Sequence, residues 1–498
     1  MNNIERENYT DPFADTIAAI ATGRAVGGIA IIRISGKSAL SIIDEIFHGP
    51  DAPLSKAAAN TIHYGHIKDI DEVLVSIFRA PHSYTTEDTV EINCHGGLFA
   101  ADKVLDAVIA AGARPAKPGE FTKQAYLAGR IDLSEAEAVA DIISSDNDFS
   151  LKNSERTLSG RLSKQIAGYR ERIIYECGYI ESALDDPEHF DLTGFPERLK
   201  TECSSLITEL SGLSATFNDG KILKDGIDTV IVGKPNVGKS SILNLLSKSD
   251  RAIVTDVPGT TRDLIEERVR VGGLTLNLID SAGIRNTDDI VEQIGVEKSL
   301  EKIGEADLVL FVCDRSRPLD ENDEKIASAL SGKNFIVLLN KSDAEAVISA
   351  DDVRGLFAAK PGQAPVSPSP VSENAAEAVF PAETQKNPVK IIDFSARSAD
   401  GVQEFQTALR GMFLSEKASG GLSAASNEVL LTNARHKYEI DSAVKSLTLV
   451  INSIDEGLPE DFYTVDLMDA YGALGRILGQ EVGDDLVEEI FSKFCIGK

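Results

Sequence analysis

The stretch Gly233-Lys-Pro-Asn-Val-Gly-Lys-Ser240 lies between an apolar run, Ile227 to Val232, and a segment in which Ile242, Leu245 and Leu246 have helical spacing. It fits the pattern G-x-x-x-x-G-K-[ST], in which a glycine-rich loop joins a strand to a helix and surrounds phosphate groups. At such a helix N-terminus the free backbone N–H groups and the helix dipole attract phosphate. The stretch therefore predicts a phosphate-binding loop, and the alternative is a chance match in a glycine-rich turn.

The residues of this loop have separate predicted roles. Gly233 and Gly238 allow a tight backbone that comes close to the ligand. Lys239 would reach the β- and γ-phosphates, and the hydroxyl of Ser240 would ligate Mg²⁺. The predicted nucleotide contacts of the loop are Gly233, Asn236, Val237, Gly238, Lys239, Ser240 and Ser241.

Two later segments indicate which base is bound. Asn340-Lys-Ser-Asp343 follows Phe335 to Leu339, a continuous apolar run typical of a buried strand. The Asp343 carboxylate can accept two hydrogen bonds from the edge of guanine, whereas adenine offers the wrong pattern. Lys341 would lie along the base. Ser395-Ala-Arg397 follows Lys390-Ile-Ile392 and suits the loop over the base. The predicted base contacts are Asn340, Lys341, Asp343, Ser395, Ala396 and Arg397.

A fourth motif, Asp280-Ser-Ala-Gly283, follows the strand-like run Leu274 to Ile279. Asp280 would lie on the Mg²⁺ side of the site, and Gly283 would contact the γ-phosphate. This motif adds Asp280, Ser281, Ala282 and Gly283 to the predicted nucleotide contacts. Because the four motifs occur in order, each after an apolar strand, together they predict a GTPase domain with GTP as its substrate.

The predicted hydrolysis machinery departs from the Ras-like pattern. Ile284 follows Gly283 at the place where Ras-like proteins carry a glutamine that orients water. An apolar side chain can neither orient water nor stabilise charge, so the site needs another device. Asn236, together with backbone carbonyls from Thr255 to Thr260, could hold a monovalent cation placed like an arginine finger.

The segment Thr255-Asp-Val-Pro-Gly-Thr-Thr-Arg-Asp263 would be switch I, with Thr261 as a second Mg²⁺ ligand. Its predicted nucleotide contacts are Thr255, Asp256, Val257, Pro258, Gly259, Thr260 and Thr261. Glu292 could position water or belong to a solvated helix face. Arg262 and Arg285 could each stabilise charge or form a surface salt bridge. The candidate catalytic residues are Lys239, Arg262 and Glu292.

Composition limits the class of protein. The chain has 498 residues, enough for about three domains. No apolar run reaches the ~18 residues of a membrane span, and no signal peptide opens the chain. Five unpatterned cysteines argue against a disulfide framework or a zinc site. We expect a cytoplasmic location.

The formal net charge of −29 bears on the partners. Nucleic-acid binding depends mainly on Lys and Arg contacts to phosphate, so this balance argues against tight, autonomous RNA binding. An RNA substrate remains compatible with the sequence if a partner carries the basic surface. Solubility alone is the simpler explanation of the charge.

Pattern along the chain predicts a multidomain α/β protein. We expect an N-terminal α+β domain at 1–126, a helical domain in two parts at 127–222 and 414–498, and an inserted Ras-like P-loop GTPase domain at 223–413. Ser134 and Glu137 have the spacing of a capping box, and Tyr175, Tyr179, Ala183 and Leu184 continue a helical stripe. The segment 350–388, rich in Pro and Ala, is expected to be a flexible excursion.

Further motifs give a resemblance that covers essentially the whole chain. Pro118-Gly-Glu-Phe-Thr122, Gly129-Arg-Ile-Asp-Leu-Ser-Glu-Ala-Glu-Ala138, Glu91-Ile-Asn-Cys-His-Gly-Gly97 and the final Phe494-Cys-Ile-Gly-Lys498 resemble the tRNA-modification GTPase family MnmE (TrmE). The ending is similar to the C-x-G-K of that family. The order of α/β, helical, GTPase and helical segments is also that of the family, whose G domain is of the TrmE-Era-EngA-YihA-Septin type.

The resemblance implies a function beyond GTP hydrolysis. With the flavoprotein MnmG (GidA), with which it forms a heterotetramer, the family adds a carboxymethylaminomethyl or aminomethyl group to carbon 5 of the wobble uridine of certain tRNAs. Its N-terminal domain is folate-binding-like, dimerises, and holds a tetrahydrofolate derivative in a 5-formyl or 5,10-methylene form. Its G domains dimerise when potassium is bound. A homodimer is therefore expected here, with tRNA bound mainly through the partner.

By position, the resemblance also implies site residues. The folate contacts fall on Arg33, Glu91, Arg130 and Lys498, where cations suit the glutamate tail and a carboxylate suits the donor edge of the pterin. The potassium ligands fall on Asn236, Thr255, Val257 and Thr260, and the water-positioning acid falls on Glu292. Without the resemblance, Arg33 would be an ordinary strand-end arginine and Glu91 a capping residue.

Two alternatives remain open at this point. A ribosome-assembly GTPase of the Era or Der type shares the phosphate-loop sequence, but such proteins carry a basic RNA-binding domain or a second G domain. A one-carbon folate enzyme with a regulatory GTPase would be distinguished by folate turnover without tRNA.

Overall fold

The computed structural model describes residues 15–186, 189, 192–249, 265–279, 302–357, 389–415, 429–480 and 482–497. The chain divides into two compact units. One unit combines the chain up to Ala215 with the chain from Asn433 onward, and the other spans Thr216–Thr432. None of the described helices combines the length and the apolar character needed to cross a membrane.

The strands and helices are numbered in chain order. The strands are β1 (Ile17–Ile20), β2 (Ile29–Ser35), β3 (Phe47–His48), β4 (Thr61–Ile67), β5 (Asp71–Phe78), β6 (Thr89–His95), β7 (Arg114–Pro115), β8 (Ile227–Val232), β9 (Ile265–Val271), β10 (Leu274–Ile279), β11 (Leu308–Asp314), β12 (Phe335–Asn340) and β13 (Ile391–Asp393).

The helices are α1 (Ala39–Ile46), α2 (Leu98–Ala110), α3 (Glu120–Leu127), α4 (Leu133–Ser144), α5 (Asp148–Leu158), α6 (Arg161–Asp185), α7 (Phe195–Ala215), α8 (Phe217–Asp225), α9 (Lys239–Ser249), α10 (Glu321–Ala329), α11 (Ala350–Gly355), α12 (Val402–Phe413), α13 (Ala434–Asp455), α14 (Glu460–Ile477) and α15 (Asp484–Ser492).

The first unit contains a seven-stranded sheet in the order β3-β4-β5-β6-β2-β1-β7. Its pairs are antiparallel except β1 with β7. Alternate residues such as Val75, Ile92 and Ile32 point to one face, where they pack with apolar residues of α1 and α2. Because side chains alternate between the faces of a strand, Arg33 and Glu91 lie on the other face, opposite each other in the register.

The predicted cap of α4 is wrong. Asp132 is the N-cap: its Oδ1 accepts the Glu135 N–H at 2.9 Å, and Glu135 Oε2 accepts the Asp132 N–H at 2.9 Å. The hydroxyl of Ser134 donates to Asp132 Oδ1 at 2.7 Å. Asp132 and Glu135 have the same three-residue spacing as Ser134 and Glu137, so both pairs fit a capping box. With Asp132 as the N-cap, the fully buried Leu133 lies inside the first turn of α4.

Glu137, which does not cap α4, forms a buried ionic cluster with Arg435 and His436. Its carboxylate accepts hydrogen bonds from Arg435 Nε at 3.0 Å and Nη2 at 2.9 Å, and its Oε2 lies 2.7 Å from His436 Nε2. Burial acts to raise the pKa of Glu137, but His436 and Arg435 outweigh it and lower the pKa to about 2. Arg435 also donates to the carbonyl of Arg476 at 2.6 Å, so the cluster joins α4, α13 and α14.

The helical stripe predicted in α6 is partly wrong. Tyr175 and Leu184 are 63% and 51% exposed, whereas Ala183 is buried. The buried face of α6 instead contains Ile166, Ile173, Cys177 and Ile180, among others. In α14, Leu467 and Leu474 are buried, and the ring of Tyr471 lies under the guanidinium of Arg170.

The second unit contains a six-stranded sheet in the order β13-β12-β11-β8-β10-β9, parallel except for β9 with β10. β11 and β12 are buried along their whole length, as expected of parallel strands covered on both faces. The strands predicted before the phosphate loop, the 340–343 motif and the 395–397 motif are confirmed as β8, β12 and β13.

This unit extends beyond the predicted limits of 223–413. Asp219 of α8 accepts hydrogen bonds from the Ser415 N–H at 3.0 Å and hydroxyl at 2.6 Å. The Leu431 N–H donates to Thr216 Oγ1 at 3.1 Å. Of the predicted excursion 350–388, the first residues form α11, and residues 358–388 lie outside the described residues.

Candidate functional site

The predicted nucleotide motifs follow strands that end at one edge of the six-stranded sheet. Parallel pairing sets Val232 beside Phe311, Asp314 beside Asn340, and Leu339 beside Asp393. The carboxyl ends of β8, β11, β12 and β13 therefore meet. Ligands of open α/β sheets bind in the crevice at this edge.

The phosphate loop requires glycine at two positions. Gly233 has φ 151°, and a Cβ there would lie 2.4 Å from the carbonyl oxygen of Val312. Gly238 has φ 101°, and a Cβ there would lie 2.2 Å from Asn340 Nδ2. Asn236 is exposed and left-handed at φ 63°. The helix α9 begins directly after Gly238, so its N-terminus faces the space that the loop encloses.

Two lysines of the loop have protein partners. Lys239 Nζ donates to the carbonyls of Gly233 at 2.7 Å and Lys234 at 2.8 Å, which holds the ammonium group over the loop. Lys234 Nζ lies 2.9 Å from Asp320 Oδ2 and 2.7 Å from Asp323 Oδ2. The pairs anchor the start of the loop to the N-terminus of α10. Sequence reasoning did not single out Lys234.

Asn340 joins two loops of the site. It is 2% exposed, its Nδ2 donates to the Val237 carbonyl at 2.7 Å, and its Oδ1 accepts the Ala396 N–H at 3.2 Å. The amide therefore fixes the phosphate loop and the 395–397 loop to the end of β12. Because both the Nδ2 and the Oδ1 of Asn340 form hydrogen bonds within the protein, Asn340 acts by positioning these loops.

The predicted base-reading side chains come together at the same edge. Lys341, left-handed at φ 65°, donates from Nζ to the Asn236 carbonyl at 3.1 Å. The Ser395 hydroxyl donates to Asp343 Oδ1 at 2.7 Å and accepts the Arg397 N–H at 3.3 Å. These contacts orient one carboxylate and one ammonium group, which suits the donor edge and the face of guanine.

Asp314 is a site residue that sequence reasoning missed. Its Oδ2 lies 2.6 Å from Lys341 Nζ, and its Oδ1 accepts the Ser316 hydroxyl at 2.6 Å. Burial acts to raise the pKa of Asp314, but the hydrogen bonds from Lys341 and Ser316 outweigh it and lower the pKa. The available signal was an acid at the end of the apolar run Leu308 to Cys313, beside the strand that ends in Asn340.

Several predicted site residues lie outside the described residues. They are the switch and cation residues Thr255, Asp256, Val257, Pro258, Gly259, Thr260, Thr261 and Arg262, the motif Asp280, Ser281, Ala282 and Gly283, and Glu292 and Lys498. Their roles stay predictions.

The first unit brings three of the four predicted folate residues together. Arg33 donates from Nε at 2.9 Å to Glu91 Oε1, and its Nη2 lies 2.8 Å from the same oxygen. The guanidinium groups of Arg33 and Arg130 lie 5.3 Å and 4.9 Å from the centre of the Tyr84 ring. Arg130 Nη1 also donates to the Tyr84 carbonyl at 2.6 Å.

Aromatic rings complete this cluster and were not predicted. Phe121 of α3 lies 5.6 Å from the Arg33 guanidinium, and the Tyr84 hydroxyl is 2.9 Å from Thr122 Oγ1. Arg33 Nη1 is buried and has no hydrogen-bond partner among the described residues. A cation with an unused buried donor, a carboxylate and two ring faces fit a planar heterocycle that carries a carboxylate tail.

The cysteines differ in exposure. Cys94, Cys177, Cys203 and Cys313 are buried, and burial raises the pKa of Cys177 to about 11. Cys495 is exposed, and its carbonyl accepts the Gly119 N–H at 3.3 Å. The five thiols are free.

We expect Asp314→Asn to weaken binding of GDP about tenfold. Lys341 would lose its ionic partner, and hydrogen bonds to charged groups contribute about 1.5–3 kcal/mol. Equilibrium titration with a fluorescent GDP measures the effect. Asp393→Asn is the matched control, because Asp393 is 60% exposed and pairs only loosely with Arg315, at 3.4 Å. Equal affinities for wild type and Asp314→Asn would contradict the positioning role.

Comparison with known proteins identifies the family. A family model for the MnmE helical domain matches residues 133–495, and one for the GTP-binding protein TrmE N-terminus matches residues 16–130. The tRNA modification GTPase MnmE of Lachnoclostridium phytofermentans is 47% identical over 490 residues, which cover 97% of this chain and 99% of the relative. Those of Bacillus cytotoxicus and Acetivibrio thermocellus are each 42% identical, with the same coverage. This chain therefore belongs to the MnmE family of tRNA modification GTPases.

Proposed function

We propose that this chain is a potassium-activated GTP hydrolase that takes part in modifying the wobble uridine of certain tRNAs. With a flavoprotein partner, MnmG (GidA), it would add a carboxymethylaminomethyl or aminomethyl group to carbon 5, with a tetrahydrofolate derivative as the one-carbon donor. The observation that carries the proposal is the similarity, along nearly the whole chain, to relatives named tRNA modification GTPase MnmE.

The geometry at the carboxyl edge of the second unit supports GTP as the substrate. Lys239 holds a positive charge over the phosphate loop, at the N-terminus of α9. Asp343 and Lys341 are each fixed by a hydrogen bond to a neighbouring loop, so a guanine would meet an oriented site. Ser240, in the first turn of α9, would hold Mg²⁺ together with Thr261. Mg²⁺, when bound, neutralises charge on the β- and γ-phosphates.

The potassium site would use Asn236 with Thr255, Val257 and Thr260. Asn236 is at the exposed turn of the phosphate loop, where its side chain is open to an added ligand. Potassium would supply positive charge beside the phosphates. Glu292 would position water, and Arg262 would stabilise charge.

The Arg33 and Glu91 cluster supports a folate site in the first unit. Glu91 offers acceptors to the N–H groups of a pterin, and Arg33 and Arg130 offer charge to the glutamate tail, with Lys498 as a further cation. The unused Nη1 donor of Arg33 is what such a ligand would satisfy. The bound derivative would supply the one-carbon unit.

Exposed apolar side chains support a homodimer. Ile29, Ile62, Tyr64 and Leu74 are 66%, 68%, 50% and 47% exposed on the strands of the seven-stranded sheet. Tyr64 is opposite Leu74 in the register, and a second copy of this chain would cover these exposed side chains, because exposed apolar surface marks interaction sites. The net charge of −29 favours tRNA binding through the MnmG partner, in a heterotetramer located in the cytoplasm.

The tRNA role is tested by mass spectrometry of nucleosides. Cells that lack this protein should lose the group at carbon 5 of the wobble uridine. Wild-type protein should restore it, and Lys239→Ala should not, because its phosphate loop lacks the ammonium group. Unchanged tRNA nucleosides in the deletion strain would overturn the proposal.

Potassium activation is tested by the rate of GTP hydrolysis in potassium and in sodium. We expect wild type to turn over more than about tenfold faster in potassium, since a cation placed like an arginine finger contributes at least that much. Asn236→Ala should remove the difference. Asn322→Ala, on the exposed N-terminal turn of α10, is the control and should keep it. Equal wild-type rates in the two salts would refute the cation site.

A further inference from the structure

Tyr84, on the loop between β5 and β6, lies beside both arginines of the predicted folate site. The guanidinium carbons of Arg33 and Arg130 lie 5.3 Å and 4.9 Å from the centre of its ring. A guanidinium within about 6 Å of the centre of a tyrosine ring is attracted by the negative face of the ring. One uncharged ring therefore holds two cations that would otherwise repel each other.

The two arginines differ in their other partners. Arg33 pairs with the Glu91 carboxylate at 2.8 Å, which offsets its charge. Arg130 is exposed, and its guanidinium has one hydrogen bond among the described residues, from Nη1 to the Tyr84 carbonyl at 2.6 Å. A ring and a carbonyl carry no net charge. Tyr84 thus orients the Arg130 guanidinium and leaves its positive charge available to an anion.

The protein also fixes the position of Tyr84. Its hydroxyl lies 2.9 Å from Oγ1 of Thr122, which is fully buried in α3. The next residue in the chain, Thr85, is fully buried too, and its Oγ1 lies 2.6 Å from Ser35 Oγ. The ring packs against a buried cluster of Ile17, Ala19 and Phe121. A side chain that is held in this way loses little further freedom when a ligand binds.

We propose that Tyr84 is a positioning residue of the folate pocket, which orients Arg130 toward the carboxylate tail of the folate. This inference rests on the proposed folate site and assigns a role that the resemblance did not supply. A guanidinium binds a carboxylate through two parallel N–H donors, so its orientation matters as much as its charge. Arg33 shares its charge with Glu91, whereas Arg130 has only the uncharged groups of Tyr84 as partners among the described residues. Arg130 therefore contributes the larger share of the attraction to the tail.

The test compares two ligands that differ in the tail. Calorimetric titration measures the affinity for 5-formyltetrahydrofolate, and its displacement measures that for 5-formyl-6-methyltetrahydropterin, which has the same ring system and no glutamate. Tyr84→Leu removes the aromatic ring, so affinity for the folate should fall about tenfold, while affinity for the pterin should change less than about twofold. Tyr84→Phe keeps the ring and should stay within about threefold of wild type for both ligands. A merely structural role would weaken both ligands alike.

Arg130→Ala provides a second measurement on an exposed side chain. It should show the same selective loss for the folate. Adding Tyr84→Leu to Arg130→Ala should cause little further loss, because residues that act through one contact are not additive. Equal losses for the folate and the pterin in Arg130→Ala would overturn the assignment of Arg130 to the tail.

Tyr471→Leu is the matched control. Its ring lies 3.9 Å from the Arg170 guanidinium, on the helices α14 and α6, which supply none of the predicted folate residues. This variant should leave both affinities unchanged. Unchanged folate affinity in Tyr84→Leu with loss in Arg130→Ala, or equal losses for both ligands in Tyr84→Leu, would overturn the role of Tyr84 alone. Unchanged folate affinity in Tyr84→Leu, Arg130→Ala and Arg33→Ala would overturn the folate site itself.

Discussion

The nucleotide edge of the second unit depends on one buried hydrogen bond, from Asn340 Nδ2 to the carbonyl of Val237. It holds the end of β12 against the phosphate loop so closely that Gly238 has no room for a Cβ. The other end of the same amide fixes the loop that follows β13. A single side chain therefore sets the predicted phosphate-binding loop and the predicted base-binding loop in one arrangement.

In each of the two units, protein acceptors hold positive charge in place at the predicted site. Lys239 bonds to carbonyls of its own loop, Lys341 to Asp314, and Arg33 to Glu91. The chain has a net charge of −29, so without these fixed partners the lysine and arginine side chains could pair with many other acidic residues. Fixed partners reduce the entropy that a long side chain loses when it binds an anion. The acidic balance of the chain is thus compatible with anionic ligands at two separate sites.

Much of this arrangement could be predicted from the sequence, because it follows from local pattern. Apolar runs followed by motif residues placed the phosphate loop after β8 and Asp343 after β12. Membership of the MnmE family then decides against the Era or Der type of GTPase. The contacts of Asp314, Tyr84 and Phe121 could not be predicted, because strand order and helix packing bring them to their sites from distant parts of the chain. The sequence predicts Ser134 as the cap of α4, but two overlapping residue pairs, Asp132 with Glu135 and Ser134 with Glu137, have the spacing of a capping box. The burial of Leu133 favours Asp132 as the cap.

The central claim is that this carboxyl edge binds a guanine nucleotide through a carboxylate held by Ser395. The most direct measurement is the affinity of wild type and Asp343→Asn for GDP and for xanthosine diphosphate. The Ser395 hydroxyl donates to Asp343 Oδ1, so the substituted amide would keep its oxygen toward Ser395 and turn its N–H₂ toward the base. Wild type should prefer GDP, and the variant should prefer xanthosine diphosphate, whose second oxygen accepts where guanine donates. An unchanged preference for GDP in the variant would contradict the account.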